Sequence, residues 1–310
     1  MLSDLLKTDK KLFKLVCGAG NECAEDVERL TKLYSDAGAH IFDICAKPEI
    51  LKAAKRGLGE NNGYICVSVG MKGDPHILKA EINKNCTQCG ACSRICPQDA
   101  IRNNTVIKEK CIGCTQCMKS CPDNAISMTE TEIDLRKVLP ELIDIGIDCI
   151  ELHATSEFDE DIWEKWEIIN NYFNGIVSVC IDRLNLGNKQ VISRLKEMLK
   201  IRKPYTTIIQ ADGIPMSGSD DSYKTTLQAV AMAEIIQDEE LPVYILISGG
   251  TNSKTADLAK LCNIKYSGIA IGSYARKIVK PYIQNPDFYD NNVYNKALKI
   301  AENLVKESIK

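Results

Sequence analysis

The chain has 310 residues, 45% of them hydrophobic, and a formal net charge of -3 from 39 basic and 42 acidic residues. Because the two signs are nearly balanced and intermixed, the composition argues against nucleic-acid binding, and no apolar run reaches the length of a membrane span. The length allows a large core, and fifteen cysteines without an apolar signal region predict a reducing, cytoplasmic environment.

Short β-rich apolar runs alternate with amphipathic helical segments along most of the chain. The predicted strands, in chain order, are LFKLVC, HIFDIC, YICVSV, CIELHA, GIVSVCI, TTIIQA, VYILIS and GIAIGS. Helical patterns such as AEDVERLTKLYSDAG and LRKVLPELIDIG separate them, and VYNKALKIAENLVKES closes the chain. Eight strand–helix units over about 250 residues predict an α/β fold of the TIM (β/α)8 type.

Two cysteine runs, CTQCGACSRICP and CIGCTQCMKSCP, interrupt this alternation after the third strand. Each has the spacing C-x2-C-x2-C-x3-C-P, in which three cysteines hold one 4Fe-4S cluster and the fourth holds the other. The predicted ligands are Cys86, Cys89, Cys92 and Cys121 for cluster 1, and Cys96, Cys111, Cys114 and Cys117 for cluster 2. Two zinc sites are the alternative, but zinc sites do not usually show this spacing doubled.

The two runs are also an internal repeat, which predicts a ferredoxin-like domain at residues 77–128. Residues 1–76 then hold the first three barrel strands, and residues 129–310 hold the other five. A loop after a strand opens on the C-terminal face of such a barrel, where active sites lie. The position of the insert therefore predicts a site shared by clusters and barrel.

Alternation within the strands predicts a polar barrel interior. One parity is aliphatic and should face the helices, as in Ile65 and Val67, while the other should point inward. The inward set is Cys17, Asp43, Cys45, Cys66, Ser68, Glu151, His153, Ser178, Cys180, Asp182, Gln210, Asp212, Ser248 and Ser273. Because ordinary barrel interiors are packed with branched aliphatics, this set predicts a lined pocket.

Several inward residues are candidates for catalysis. His153, beside Glu151 at the end of the fourth strand, is either a proton donor or a core histidine. Asp43, Asp182 and Asp212 end strands, where a carboxylate binds ligand, acts as acid or base, or caps a turn.

A thiol group is a further candidate at the barrel mouth. Cys17, Cys45 and Cys180 would form it, and Cys17 is the candidate nucleophile or proton relay. The alternative is that these cysteines are small buried hydrophobes.

Two glycine-bearing loops after strands seven and eight, SGGTNSKTADL and GIAIGSYAR, predict a phosphate site. Glycines let backbone N–H groups approach an anion, a helix N-terminus adds its dipole, and an arginine adds charge. The predicted contacts are Gly249, Gly250, Thr251, Asn252, Gly272, Ser273 and Arg276, with Ser217 from the long loop after strand six. The loops resemble the phosphate grips of FMN-binding barrels such as the dihydroorotate dehydrogenase group; similar loops hold phosphorylated sugars, and plain tight turns are the alternative.

FKLVCGAG, QADGIPMSGS, ISGGTN and GIAIGSYAR, together with the cysteine runs, resemble the light-dependent period modulator (LdpA) family. The similarity spans nearly the whole chain. It implies bound iron-sulfur clusters and, in cyanobacterial members, delivery of the cellular redox state to the circadian clock.

The leading hypothesis is an oxidoreductase in which two 4Fe-4S clusters exchange electrons with an FMN-like cofactor at the barrel mouth. Its partner would be a ferredoxin or another electron-transfer protein. One alternative is a non-catalytic redox sensor that reports to a regulatory protein. Another is an enzyme without flavin, acting on a small phosphorylated ligand.

Overall fold

The computed structural model describes residues 1–18, 20–74, 77–131, 133–155, 159–213 and 220–310. Along this part of the chain the strands are β1 (Leu12–Val16), β2 (Ile41–Cys45), β3 (Tyr64–Val69), β4 (Leu78–Ile82), β5 (Ile101–Arg102), β6 (Thr105–Val106), β7 (Ile126–Glu130), β8 (Cys149–His153), β9 (Ile176–Ile181), β10 (Thr207–Asp212), β11 (Tyr244–Ser248) and β12 (Gly268–Ile271). The helices are α1 (Leu2–Leu6), α2 (Ala24–Asp36), α3 (Pro48–Leu58), α4 (Ala91–Ile95), α5 (Gln116–Ser120), α6 (Leu135–Ile145), α7 (Asp159–Tyr172), α8 (Asn188–Leu199), α9 (Tyr223–Gln237), α10 (Thr255–Leu261), α11 (Ser273–Ile283) and α12 (Asn291–Ser308).

A closed parallel barrel forms the body of the protein. Its strands are β1, β2, β3, β8, β9, β10, β11 and β12, each paired with the next, and β1 pairs with β12 to close the ring. The predicted TIM-type barrel is therefore confirmed. All eight predicted strands are present, because their apolar runs supply a face that packs against the helices.

The two ends of the barrel have different interiors. At the N-terminal end, Leu12, Ile41 and Leu246 pack in one hydrophobic cluster with Leu2 and Leu6 of α1, which covers this end. At the C-terminal end the inward positions of β3, β8 and β10 are polar and buried. The polar side chains therefore gather at the face where such barrels carry their sites.

The insert follows β3 and lies between it and α6. Its first strand, β4, pairs antiparallel with its last, β7, so that the chain enters and leaves side by side. Within it, β5 pairs with β6, and α4 packs against α5. This arrangement explains how a barrel accommodates the insertion without opening the ring.

The helix that follows the last barrel strand, α11, was not predicted from the sequence. α11 begins at Ser273, directly after β12, whereas the glycine-rich pattern there predicted a loop. Among the described residues, no helix is both long enough and apolar enough to cross a membrane.

Candidate functional site

The two cysteine loops of the insert share one backbone design. Gln88 and Gly90 in the first loop have φ of 61° and 73°, and Gly113 and Thr115 in the second have φ of 67° and 59°. Left-handed residues turn the chain back between successive cysteines, and α4 and α5 begin directly after them. The matching conformations show that the sequence repeat is also a structural repeat.

Backbone amides donate hydrogen bonds to cysteine sulfurs in both halves of the insert. Amide donors stabilise the negative charge of cluster thiolates and help to set the reduction potential. The donors are Ala100 to Cys96 and Ala125 to Cys121, both at 3.3 Å, and Ala80 to Cys111 and Gln88 to Cys86, both at 3.4 Å.

The predicted cluster 2 ligands surround one small cavity. Its lining includes Cys96, Cys111, Cys114 and Cys117, with apolar side chains such as Ile101 filling the rest. Within the described ranges, no three His, Cys, Asp or Glu side chains converge closely enough to hold a single metal ion. Four cysteine sulfurs around one cavity are the ligand set that an iron-sulfur cube requires.

The predicted cluster 1 ligands differ in exposure. Cys89 is exposed, Cys92 is buried, and Cys86 and Cys121 are half-buried. Cluster 1 would therefore meet solvent at Cys89, whereas two of the cluster 2 ligands are buried.

A buried charge network fills the upper barrel around Lys14. Its Nζ donates to Glu151 Oε2 at 2.5 Å and to Gln210 Oε1 at 2.8 Å, and lies 3.2 Å from Asp43 Oδ2. Ser178 donates to Glu151 at 2.7 Å. Burial alone would lower the pKa of Lys14, but the neighbouring carboxylates raise it well above its ordinary value. Lys14 therefore remains an ammonium ion that neutralises buried carboxylates.

His153 lies between two carboxylates at the end of β8. Its Nδ1 is 2.9 Å from Asp74 Oδ2, and its Nε2 is 3.5 Å from Glu151 Oε1. Burial alone would lower the pKa of His153, but Asp74 and Glu151 raise it well above the ordinary value. Burial would raise the pKa of Glu151, but Lys14 and His153 lower it. His153 is thus a protonated group held by two anions.

Asp212 and Asp182 have different roles at the ends of neighbouring strands. Cys180 Sγ donates to Asp212 Oδ2 at 2.8 Å, and burial raises the pKa of Asp212 to about 6. Asp182 accepts a hydrogen bond from the backbone of Leu184 at 2.9 Å, which is the turn-capping alternative. A carboxyl group with a pKa near 6 is suited to proton exchange at neutral pH. Burial also raises the pKa of Asp43 to about 6, but Asp43 is paired with Lys14, so Asp212 is the better acid–base candidate.

The predicted inward orientation of Cys17 is wrong. Cys17 packs in the cluster between barrel and helices with Phe13 and Leu15, whose parity it shares, while Lys14 has the inward parity. Burial raises the pKa of Cys17 and of Cys45 to about 12, so both are thiols at neutral pH. Cys17 therefore does not join a thiol group inside the barrel.

In the loop after β11, the side chains and the glycines make contacts within the protein that hold the loop in place. Gly249 and Gly250 have φ of 71° and 74°, and a Cβ on Gly249 would lie 2.5 Å from the backbone N of Gly213. Thr251 Oγ1 donates to Ala270 O at 2.5 Å. Any contribution of this loop to anion binding would therefore come from its backbone.

The side chain of Asn252 is hydrogen-bonded to the beginning of α9. Its Nδ2 donates to Asp220 O and Ser222 O at 2.9 Å and to Thr225 Oγ1 at 2.8 Å, and the side chain is buried. The amide group of Asn252, which was predicted to contact phosphate, therefore donates to acceptors within the protein instead. Ser217, the other predicted contact near this loop, lies outside the described residues.

The first turn of α11 carries the remaining predicted phosphate contacts. Gly272 is the N-cap of this helix and Ser273 its first residue. Arg276 Nη1 donates to Val16 O at 2.7 Å, and among the described residues its buried Nε has no hydrogen-bond partner. Burial lowers the pKa of Arg276. A buried donor without an acceptor next to a helix N-terminus favours a bound anion.

A cavity of about 340 Å³ lies between α11 and the insert. Its lining includes Ser273 and Arg276 from the barrel and Gln98, Ile112 and Cys114 from the insert. Two predicted phosphate contacts and one predicted cluster 2 ligand therefore share one cavity.

Two buried lysines escaped the sequence prediction. Lys14 has the inward parity of β1, and this position was the available signal. Lys79 in β4 donates to Gly20 O and to Cys111 O, both at 2.8 Å, and joins a barrel loop to the second cysteine run. Nothing in the sequence around Lys79 indicated that this lysine would be buried and would join these two segments.

Comparison with known families gives matches over most of the chain. Residues 141–310 match the Light dependent period A C-terminal domain, and residues 81–132 match the LdpA Fe-S cluster-binding domain. Light dependent period A of Synechococcus elongatus is 31% identical over 287 residues, which cover 85% of this chain and 80% of that protein.

Solved structures align at low identity. A truncated 3-deoxy-D-arabino-heptulosonate 7-phosphate synthase from Thermotoga maritima has a TM-score of 0.48 at 10% identity, over 94% of this chain and 86% of that one. The YdjI aldolase from Escherichia coli K12 has a TM-score of 0.49 at 8% identity, over 97% and 90%. At these identities the alignments describe the backbone path and nothing of the chemistry.

Proposed function

Because the chain belongs to the light dependent period A family and carries its iron-sulfur-binding domain, we propose that it holds two 4Fe-4S clusters and exchanges single electrons with a phosphate-bearing ligand. The iron-sulfur character follows from the family. The cluster count, the electron transfer and the ligand are the proposal.

Two clusters are supported by the symmetry of the insert. Both cysteine loops have the same pattern of left-handed residues, and both fourth cysteines accept a backbone amide at 3.3 Å. Cys96 lines the same cavity as Cys111, Cys114 and Cys117, although it belongs to the first run. This exchange of the fourth ligand is the arrangement of two-cluster ferredoxins.

The cavity between α11 and the insert is the observation that carries the ligand proposal. Three of its lining residues, Arg276, Lys277 and Lys280, are basic, and one, Asp26, is acidic. The N-terminus of α11 adds a partial positive charge at Ser273. Basic side chains at a helix N-terminus bind phosphate, and the volume falls within the range of small-molecule pockets.

FMN is the ligand that we propose, because its phosphate suits the basic part of the cavity lining and its ring system suits the apolar part. Bound clusters supply one-electron transfer, and flavin exchanges both single electrons and hydride. Arg276 and Ser273 would hold the phosphate, while Ile112 and Leu30 provide apolar surface for a ring system. Cys114 lies in the lining of the same cavity, so no further carrier is needed between cluster 2 and the ligand.

Protons would be held by the upper barrel. Asp212 has a pKa of about 6, and His153 remains protonated between Asp74 and Glu151. Both lie at the C-terminal ends of their strands, on the face where the insert emerges. We propose Asp212 as the acid–base group of the barrel mouth, with His153 as a fixed positive charge near it, and leave Cys17 out of this role.

A non-catalytic redox sensor is the second candidate, and the closed barrel network favours it. Lys14 and His153 are paired with Glu151, Asp43 and Asp74, so these charges satisfy one another without a substrate. In a sensor the cavity would bind its ligand without turning it over.

The test is anaerobic titration of FMN into protein with its iron in place. We expect Arg276→Gln to weaken FMN binding at least tenfold with unchanged iron content, because it removes the arginine charge from the lining of the cavity. Arg136→Gln, which removes an exposed arginine paired with Glu164 on the outer helices, should bind FMN like the wild type. Equal FMN binding by Arg276→Gln and the wild type would contradict the ligand proposal.

A further inference from the structure

The insert is symmetric in its cysteines but asymmetric in its charges. The register that aligns Cys86 with Cys111 aligns Lys79 with Asn104, so the lysine has no counterpart in the other half. An uncompensated difference of this kind makes the surroundings of the two clusters electrostatically unequal.

Lys79 is buried directly behind the second cysteine run. Its side chain is 3% exposed, and its Nζ donates to Cys111 O at 2.8 Å. The backbone N–H of the next residue, Ala80, donates to Cys111 Sγ at 3.4 Å. A full positive charge and an amide dipole therefore both approach one predicted ligand of cluster 2.

The carboxylate next to Lys79 does not cancel its charge alone. Glu22 Oε1 is 3.1 Å from Lys79 Nζ, but Glu22 Oε2 is 2.7 Å from Lys47 Nζ. Two ammonium groups thus share one carboxylate, and this group of three residues keeps a net positive charge.

Other lysines near the cysteines are more exposed. Lys280 Nζ donates to Pro97 O at 2.7 Å, beside Cys96, but its side chain is 31% exposed and paired with Asp99. Lys84, two residues before Cys86, is exposed. Water and salt screen such charges far more than a buried one.

We propose that Lys79 raises the reduction potential of cluster 2 above that of cluster 1 and so directs electrons toward the cavity. This inference rests on the proposed two-cluster function. A reduced cluster carries one more negative charge, and a buried cation stabilises that charge at close range. One electron leaves an external one-electron donor at the exposed Cys89 end and moves on to the Cys111 end. No bond forms or breaks, and no proton moves.

The experiment is a redox titration of the iron-loaded protein, followed by electron paramagnetic resonance. In Lys79→Gln, one of the two midpoint potentials should fall by at least 59 mV, a tenfold change in the one-electron equilibrium constant. The other midpoint should move far less. Lys79→Arg keeps the charge and should keep both potentials.

Two further variants test whether the shift in midpoint potential has the sign expected for a charge effect and whether it originates at Lys79. Glu22→Gln removes the shared carboxylate and should raise the same midpoint that Lys79→Gln lowers. Lys84→Gln removes an exposed charge near Cys86 and should shift either midpoint far less than Lys79→Gln does. If Lys79→Gln loses iron, the opposite shift in Glu22→Gln still tests the proposal.

The outcomes separate this inference from the proposed function. Two iron-sulfur signals whose midpoints do not respond to Lys79→Gln or Glu22→Gln would overturn the role of Lys79 and leave the two-cluster function standing. Equal shifts in Lys79→Gln and Lys79→Arg would show a structural effect and would also overturn it. A single cluster per chain would remove the proposed function and this inference with it.

Discussion

The barrel interior and the cavity between α11 and the insert, here called the junction, both contain charged side chains. Only in the barrel interior do these charges pair with one another. Around Lys14 and His153, each charged group has a carboxylate within 3.5 Å. At the junction, Arg276 is held by a neutral carbonyl, and its buried Nε lacks a partner among the described residues. A network of paired charges satisfies itself without a ligand, whereas a cation with no ion pair among the described residues favours binding of an anion.

The difference teaches where to look for a ligand. The many polar inward residues predicted a lined pocket inside the barrel, yet Lys14, Glu151, Gln210 and Ser178 bond to one another. The cavity that combines basic groups, a helix N-terminus and a cluster ligand lies beside the barrel, under the insert. The balance of charges, rather than polarity alone, is therefore the basis on which we propose a ligand site at this cavity.

The largest effect should come from Lys14→Met. Removing this ammonium leaves Glu151 and Asp43 buried without their cation, which costs about 3–5 kcal/mol of unfolding free energy. Urea unfolding followed by circular dichroism measures it.

Arg276→Gln is the matched comparison at the junction. It removes one hydrogen bond to Val16 O and should cost only about 1 kcal/mol. If Arg276→Gln destabilises the fold as much as Lys14→Met does, the distinction between closed network and binding site fails.

An effect smaller than that of Lys14→Met should appear in the pH dependence of Asp212→Asn. The pKa of Asp212 rises from 3.8 unfolded to about 6 folded, so its contribution to stability is present below pH 3.8 and is lost as pH rises through 6. The asparagine variant escapes this loss and should gain about 1–2 kcal/mol on the wild type between pH 5 and pH 8.

Unfolding free energies of both proteins at several pH values check this prediction. Asp182→Asn is the comparison variant. Burial also raises the pKa of this neighbouring carboxylate, but Asp182 caps a turn. A constant difference between Asp212→Asn and the wild type across this range would contradict the buried, proton-exchanging role of Asp212.

The smallest effect should come from Lys280→Gln. This half-exposed lysine pairs with Asp99 and bonds Pro97 O across the junction, and such contacts contribute less than about 1 kcal/mol. The midpoint of thermal unfolding should therefore stay close to that of the wild type. A large fall would show that the junction, like the barrel centre, depends on its ion pairs.

The sequence predicted those features that are set by local spacing. Strand alternation was sufficient for the barrel, and cysteine spacing placed Cys96 in the same cavity as the second run. Cys17 was misplaced because apolar residues occupy both parities of β1, so that only the contacts of Lys14 show which parity points inward. The roles of Lys79 and Asn252 depend on partners distant in the chain, which no local pattern encodes.

The most direct test of the account measures iron and flavin in one sample of protein purified without oxygen. We predict about eight irons per chain, from two 4Fe-4S clusters, and about one FMN released on denaturation. About four irons, or no FMN even after reconstitution with excess FMN, would contradict the pairing of two clusters with a flavin-binding cavity.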